Sequence, residues 1–190
     1  MKQITLIRHA KVDMDNTQKM DAASLKNWVK AYDMANIHTD SFPTQETITV
    51  AKSADIILTS SLRRTVESAK VLGVDIYESI AVFNEAKIPD VNIPFVKFKP
   101  KTWLVILRVL LLFGLGKKDA SLCVSKQQAK DASKRLLELS SKHDSVVLVG
   151  HGGMNWLLRK ELMKEGWCLE PKPTNKNWGV TTLKRENIKE

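Results

Sequence analysis

Short apolar runs alternate with longer amphipathic stretches along this chain. The runs are rich in Val, Ile and Leu and have the length of buried strands, which we predict at residues 4–7, 55–58 and 146–149. Apolar residues recur at helical spacing between them and predict helices over residues 22–35, 44–54 and 62–72. Strands that alternate with helices indicate a three-layer α/β sandwich, with a mostly parallel central sheet and helices on both faces.

Turn and capping residues predict where further elements begin and end. Gly73 is expected to end the helix that precedes it. Ser125 and Gln128 have the spacing of a capping box, which predicts the start of a helix that continues to residue 141. Two more strands are predicted at residues 74–77 and 178–183.

The composition is that of an ordinary globular protein. The chain has 190 residues, of which 43% are hydrophobic and 27% charged, and this suits one domain over residues 1–190. Cys123 and Cys168 stand far apart and the first strand is predicted close to the N-terminus, so we expect a cytoplasmic protein without a signal peptide. The net charge of +9 favours anionic partners, but no nucleic-acid recognition motif accompanies the lysines, so nucleic acid is not expected as a partner.

Basic side chains follow three of the predicted strands. Arg8 and His9 follow the first strand, Arg64 lies in the helix after the second, and His151 follows the third between glycines. The carboxyl ends of parallel strands meet at one edge of a sheet, where ligands bind in open α/β folds. We therefore expect these groups to surround one phosphate. Asn155 and Asn177 could border the same pocket, with ordinary cap or turn roles as the alternative.

These segments resemble the histidine phosphatase superfamily, in its phosphoglycerate mutase-like branch. The pair Arg8 and His9 resembles the Arg-His pair that closes the first strand of that family. Residues 60–69 resemble its serine, leucine and arginine segment, and residues 150–152 resemble the segment of its second histidine. Residues 83–86 stand where the family carries its acidic proton donor. The resemblance implies a phosphoglycerate mutase-like fold and a phosphorylated substrate.

The resemblance also implies a role for each matched residue. His9 is expected to attack phosphorus and form a phosphohistidine, and Glu85 to donate the proton that the leaving group needs. His151 is expected to act in both catalysis and phosphate binding. The phosphate-binding set that the resemblance implies is Arg8, Arg64, His151 and Gly152. No metal or other cofactor is expected, since the histidines and cysteines show no ligand spacing.

The expected activity is that of a metal-independent phosphatase, a histidine acid phosphatase-like hydrolase that acts on a phosphomonoester or a phosphoprotein. Two alternatives remain open at this stage. One is phosphoryl transfer of the phosphoglycerate mutase kind, and the other is a non-catalytic module that keeps the phosphate pocket and docks to a membrane or a partner.

Residues 103–115 are apolar on nearly every face and include one arginine, Arg108. A helix of this length would reach only about 20 Å, which is short of the roughly 30 Å hydrocarbon core of a membrane. Residues 89–118 lie where this superfamily often inserts a lid, so they are expected to form a lid or cap. Flanking lysines also suit an anionic membrane surface, so residues 103–115 are a candidate for a peripheral membrane or homo-oligomer contact.

Overall fold

A computed structural model describes residues 1–87, 93, 95–112 and 122–186 of the chain. Its centre is a sheet of six strands in the order β3-β2-β4-β1-β6-β5. The first four strands along the chain pair in parallel, and the last two add to the edge beside β1 as antiparallel strands. The strands are β1 Lys2–Arg8, β2 Ile56–Ser60, β3 Glu78–Ile80, β4 Ser145–Gly150, β5 Cys168–Leu169 and β6 Val180–Arg185.

Helices cover both faces of this sheet. They are α1 Ala22–Met34, α2 Gln45–Lys52, α3 Arg63–Leu72, α4 Pro100–Leu112, α5 Leu122–Lys142 and α6 Gly152–Lys164, with a short 3-10 turn at Ala81–Phe83. The mostly parallel α/β sandwich predicted from the alternation of strands and helices is therefore confirmed.

Alternation of side chains along the strands builds a core on each face. In β1, Leu6 points into the core formed with α5 and α6, whereas Ile7 points into the core formed with α2 and α3. In β4, Leu148 and Val149 divide between the same two cores. Neighbouring side chains of a strand point to opposite faces, so an uninterrupted apolar run is what a strand buried on both faces requires.

A third apolar cluster joins α1 to α4. Leu25 of α1 packs with Trp103 and Leu107 of α4, and all three side chains are buried. The indole of Trp103 donates to the carbonyl oxygen of Met20 at 2.6 Å. Backbone hydrogen bonds in both directions between Met20 and Phe98 fix the segments that lead into the two helices. These contacts place α1 and α4 as one packed pair.

The predicted end of α3 is correct, whereas the strand predicted at residues 74–77 and the predicted capping box are wrong. Gly73 ends α3 in the left-handed conformation, with φ of +68°, as expected of a C-cap glycine. The strand predicted at residues 74–77 is wrong, since pairing with β2 begins only at Glu78 and the apolar side chains before it cover the core from a loop. The capping box is also wrong, because α5 begins at Leu122 and Ser125 is buried inside the helix.

The apolar stretch forms α4 as far as Leu112. Residues 113–115 of the predicted helix, and residues 89–92, 94 and 113–118 of the predicted lid, lie outside the described residues. None of the helices in the described ranges combines the length and the apolar character needed to span a bilayer.

Candidate active site

Three parallel strands end side by side and bring the predicted site residues to one edge of the sheet. β4 lies between β1 and β2, and Arg8 at the end of β1 pairs in register with Gly150 at the end of β4. His9 directly follows Arg8 and His151 directly follows Gly150, so this pairing places the two histidines together. Their ring centroids are 5.2 Å apart and both side chains are buried.

His9 has a defined neutral form in this site. Its Nδ1 lies 2.6 Å from the carbonyl oxygen of Ala10, which can only accept, so Nδ1 carries the hydrogen. Burial, together with the positive charges of Arg64 and Arg8, lowers the pKa of His9 to about 3. The ring is therefore neutral near pH 7, and Nε2 carries a lone pair that can attack phosphorus.

His151 is the second buried imidazole. Its Nε2 lies 2.7 Å from the hydroxyl of Ser60, at the end of β2, whereas its Nδ1 has no hydrogen-bond partner among the described residues. Burial, then the charges of Arg64, His9 and Arg8, lower the pKa of His151 well below its usual value. A bound anion would oppose these effects, because it offsets the arginine charges.

The two arginines are held by one outer nitrogen each. Nη1 of Arg8 donates to the carbonyl oxygen of Asn175 at 2.6 Å, and Nη1 of Arg64 donates to Oδ1 of Asp33 at 2.8 Å. In both side chains Nε is buried and has no partner within the described part of the protein. Buried N–H groups without a partner are costly, so these two nitrogens are suited to donate to an anion.

Glu85 lies at the N-terminus of α6, the helix that follows His151. Its carboxylate oxygens accept from the backbone N–H groups of Gly153 at 3.2 Å and Met154 at 2.9 Å. Nη2 of Arg108 on α4 lies 3.4 Å from Oε2 of Glu85. The first N–H groups of a helix attract negative charge, so α6 holds this carboxylate at the helix end that His151 precedes.

The absence of a side chain at two successive positions keeps this arrangement open. A Cβ at Gly152 would lie 3.3 Å from Nε of Arg8, and a Cβ at Gly153 would lie 2.6 Å from Oε1 of Glu85. The distance at Gly152 is tight for a Cβ contact, and the distance at Gly153 is shorter than Cβ atoms make in real structures. Gly152 thus makes room for Arg8, while its predicted contact with phosphate stays a prediction.

Two asparagines hold the chain on either side of this strand end. Nδ2 of Asn155 donates to the carbonyl oxygen of Ile7 at 3.2 Å, and Nδ2 of Asn177 donates to that of His9 at 2.8 Å. Gln128 of α5 supports Glu85 in a similar way, since its side-chain amide donates to the carbonyl oxygens of Val82 and Asn84. These amides position the backbone that carries the reactive groups.

The sequence predicts the residues that the structure gathers at this edge, but not the contacts that hold their side chains in place. Asp33 and Asn175 contact the two guanidiniums through tertiary structure, and no local pattern marks them. Ser60 lies in the matched segment 60–69, but its contact with the imidazole of His151 was not predicted. Arg108 was marked only as the charge inside an apolar run. The ring of Tyr32 lies under the guanidinium of Arg64, with 5.0 Å between the ring centroid and Cζ. No three His, Cys, Asp or Glu side chains in the described segments are grouped so that they could hold a metal ion.

No protein-family model matches this sequence, and a comparison with curated proteins finds no similar sequence. Solved structures do match. Phosphoserine phosphatase from Entamoeba histolytica, in complex with phosphoserine, is 16% identical over 96% of this chain and 90% of its own, with a TM-score of 0.57. A mycobacterial glucosyl-3-phosphoglycerate phosphatase in complex with VO3 is 16% identical over 96% and 92%, with a TM-score of 0.56. A second mycobacterial protein, a hydrolase, is 15% identical over 96% and 88%, with a TM-score of 0.60. The chain has a phosphoglycerate mutase-like α/β fold, which these solved structures share.

Proposed function

We propose that this protein is a phosphatase that hydrolyses a phosphomonoester or a phosphoprotein through a phosphohistidine on His9. The observation that carries the proposal is the neutral, buried His9, with Nδ1 tied to Ala10, beside three buried nitrogens that have no partner in the described structure. The two arginine N–H groups suit the oxygens of a phosphoryl group, and Nδ1 of His151 does so once it is protonated.

The first step forms a bond between Nε2 of His9 and phosphorus while the ester P–O bond breaks. Arg8, Arg64 and His151 bind the oxygens on which negative charge lies during the transfer. Glu85 acts as the general acid, gives a proton to the leaving oxygen and is left as a carboxylate. The products of the step are the free alcohol and the N-phosphorylated imidazole.

The second step returns the enzyme to its starting state. A water molecule attacks the phosphohistidine, the P–N bond breaks, and Glu85 takes a proton from the water. Inorganic phosphate leaves and Glu85 is protonated again, so protons balance over the cycle. The α6 N–H groups that hold Glu85 stabilise the carboxylate formed between the two steps.

The structural neighbours support this reaction class. Among them are a phosphoserine phosphatase and a glucosyl-3-phosphoglycerate phosphatase. Mutase-like phosphoryl transfer and phosphate binding without turnover are the alternatives, and both keep the same pocket. They differ from the proposal in the fate of the phosphoryl group, which passes to a second alcohol in a mutase and is never transferred in a binding module.

The test is hydrolysis of 4-nitrophenyl phosphate in the presence of excess chelator, with detection, after an alkaline quench, of a phosphoenzyme that is stable in alkali and labile in acid. We expect turnover and labelling in the wild type and neither in His9→Ala. His38→Ala is the matched control, since the ring of His38 accepts from the backbone of Asp40 outside the site. Activity retained in His9→Ala would overturn the mechanism. Labelling of the protein without release of phosphate to water would favour the mutase. Phosphate binding without labelling would favour the binding module.

A contact between α4 and an anionic membrane surface is proposed separately, together with a cytoplasmic location. Lys101, Val105 and Val109 are exposed and follow at intervals of four residues, so they lie on one face of α4. Such a face combines apolar and basic groups in the way that an interfacial helix does.

Vesicle flotation tests this contact. We expect the protein to float with vesicles that contain phosphatidylglycerol and not with phosphatidylcholine alone, and Val105→Asp with Val109→Asp to abolish flotation. Val71→Asp, at an exposed valine of α3, is the control. A homo-oligomer contact would be favoured instead if the protein does not float and sedimentation shows a dimer that the α4 substitutions dissociate.

A further inference from the structure

The guanidinium of Arg64 is held from α1 by two neighbouring residues. Asp33 accepts from Nη1 at 2.8 Å, and the ring of Tyr32 lies under the guanidinium. Trp28, one turn earlier on α1, stacks on Tyr32 with centroids 5.1 Å apart. The side chain of Arg64 is only 4% exposed, so the planar group has little freedom, and its Nε has no hydrogen-bond partner in the described structure.

The two arginines of the pocket differ in the charge of the group that holds them. Arg8 donates Nη1 to a neutral carbonyl oxygen, that of Asn175, whereas Arg64 donates Nη1 to a carboxylate. The carboxylate of Asp33 therefore lies one guanidinium away from the place where Arg64 meets the anion. It repels a phosphate dianion there, and its side chain is 41% exposed, so water and salt reduce the effect without removing it.

We propose that Asp33 is a counter-charge for Arg64 that limits how tightly the pocket holds inorganic phosphate. The proposal rests on the phosphate pocket of the proposed function. Two arginines close to two imidazoles would retain the product of hydrolysis, and a carboxylate on the far side of one arginine weakens that hold while it keeps the guanidinium in place.

Asp33→Asn separates charge from position, because the amide oxygen can still accept from Nη1 of Arg64. We expect Asp33→Asn to bind inorganic phosphate about tenfold more tightly than the wild type at low salt. The gain should shrink as salt rises towards 0.5 M, since salt screens charges at this separation. Damage to the pocket would weaken binding, so a gain in affinity is a result that a merely structural role does not produce.

The matched control is Asp144→Asn. Asp144 is also paired with a cation, since its Oδ1 lies 2.9 Å from Nζ of Lys2, but it precedes β4 and so stands at the opposite edge of the sheet. This variant changes the net charge of the protein by the same amount. We expect its affinity for phosphate to stay within twofold of the wild type.

Isothermal titration with inorganic phosphate is the measurement, and the product inhibition constant for phosphate in the aryl phosphate assay is the second readout. Equal affinities in Asp33→Asn and Asp144→Asn, or weaker binding in Asp33→Asn, would overturn the proposal. Titration needs no turnover. If the wild type binds phosphate but does not hydrolyse esters, the proposed function fails while the comparison of the two variants still tests the counter-charge.

Discussion

Ser60 Oγ lies 2.7 Å from Nε2 of His151, and its other hydrogen bonds determine which nitrogen of that ring carries a proton. The hydroxyl of Thr65 donates to the carbonyl oxygen of Leu62 at 2.8 Å, so Ser60 donates to Thr65 at 2.9 Å. The lone pairs of Ser60 then accept from Nε2–H of His151 and from the backbone of Leu62. Nδ1 of His151 is left with a lone pair and no partner within the described residues.

Replacement of Ser60 by alanine is expected to lower kcat/KM about tenfold. The variant removes the group that orients His151 and leaves its Nε2–H buried without an acceptor, which costs about 1–3 kcal/mol of folding stability. Steady-state kinetics and urea denaturation measure the two effects separately. Ser61→Ala is the control, because Ser61 is exposed and contacts Asn84. A Ser60→Ala variant that loses stability but keeps full kcat/KM would contradict the orienting role.

Substitution of Gly153 by alanine tests the position of Glu85. The added methyl group would lie 2.6 Å from Oε1, so the carboxylate must move. We expect the loss of kcat to be large, about 100-fold, for an alkyl phosphate and small for 4-nitrophenyl phosphate, whose leaving group needs no proton. Glu85→Gln should give the same dependence on the leaving group. Equal losses of kcat for both substrates would contradict the role of Glu85 as proton donor.

Acid should destabilise this protein through His9. Its pKa is about 3 when folded, against 6.5 for an ordinary histidine, so the unfolded chain binds more protons in this interval. Folding stability due to His9 is thus present above pH 6.5 and is lost as the pH falls towards 3, with a slope of up to about 1.4 kcal/mol per pH unit. Urea denaturation between pH 7.5 and pH 5, in buffers without phosphate or sulfate, should show a smaller slope for His9→Gln. Parallel curves for the two proteins would refute the assignment.

Anion binding should bring a proton into the site. An anion needs donors, but Nδ1 of His151 has a lone pair in the unliganded form, and burial holds its pKa well below the usual value. A bound dianion raises that pKa, so affinity should rise as the pH falls. Titration with sulfate, which does not itself titrate near pH 7, in two buffers of different ionisation enthalpy measures the uptake. We expect net uptake that is lost in His151→Gln, and zero uptake in the wild type would contradict the prediction.

The amino-acid sequence by itself determined the central strands β1, β2 and β4, the helices α1 to α3 and the presence of Arg8, His9 and His151 at strand ends. These elements can be predicted because a strand buried on both faces needs an apolar run and a helix needs an apolar stripe. Both are patterns of neighbouring residues along the chain. The strand predicted at residues 74–77 shows the limit of such patterns. An apolar segment can cover a core from a loop, and only the pairing partner distinguishes the two.

Tertiary structure alone decided which hydrogen bonds and charges surround these side chains. Asp33 and Ser60 reach Arg64 and His151 from elements distant in the sequence, and α6 presents its N–H groups to Glu85 only because the chain folds back on itself. The protonation of His9 was equally hidden, since it depends on burial and on the charge of Arg64 from α3 as well as on that of the adjacent Arg8. Local patterns carry information about neighbours along the chain, whereas electrostatics and hydrogen bonding depend on neighbours in space.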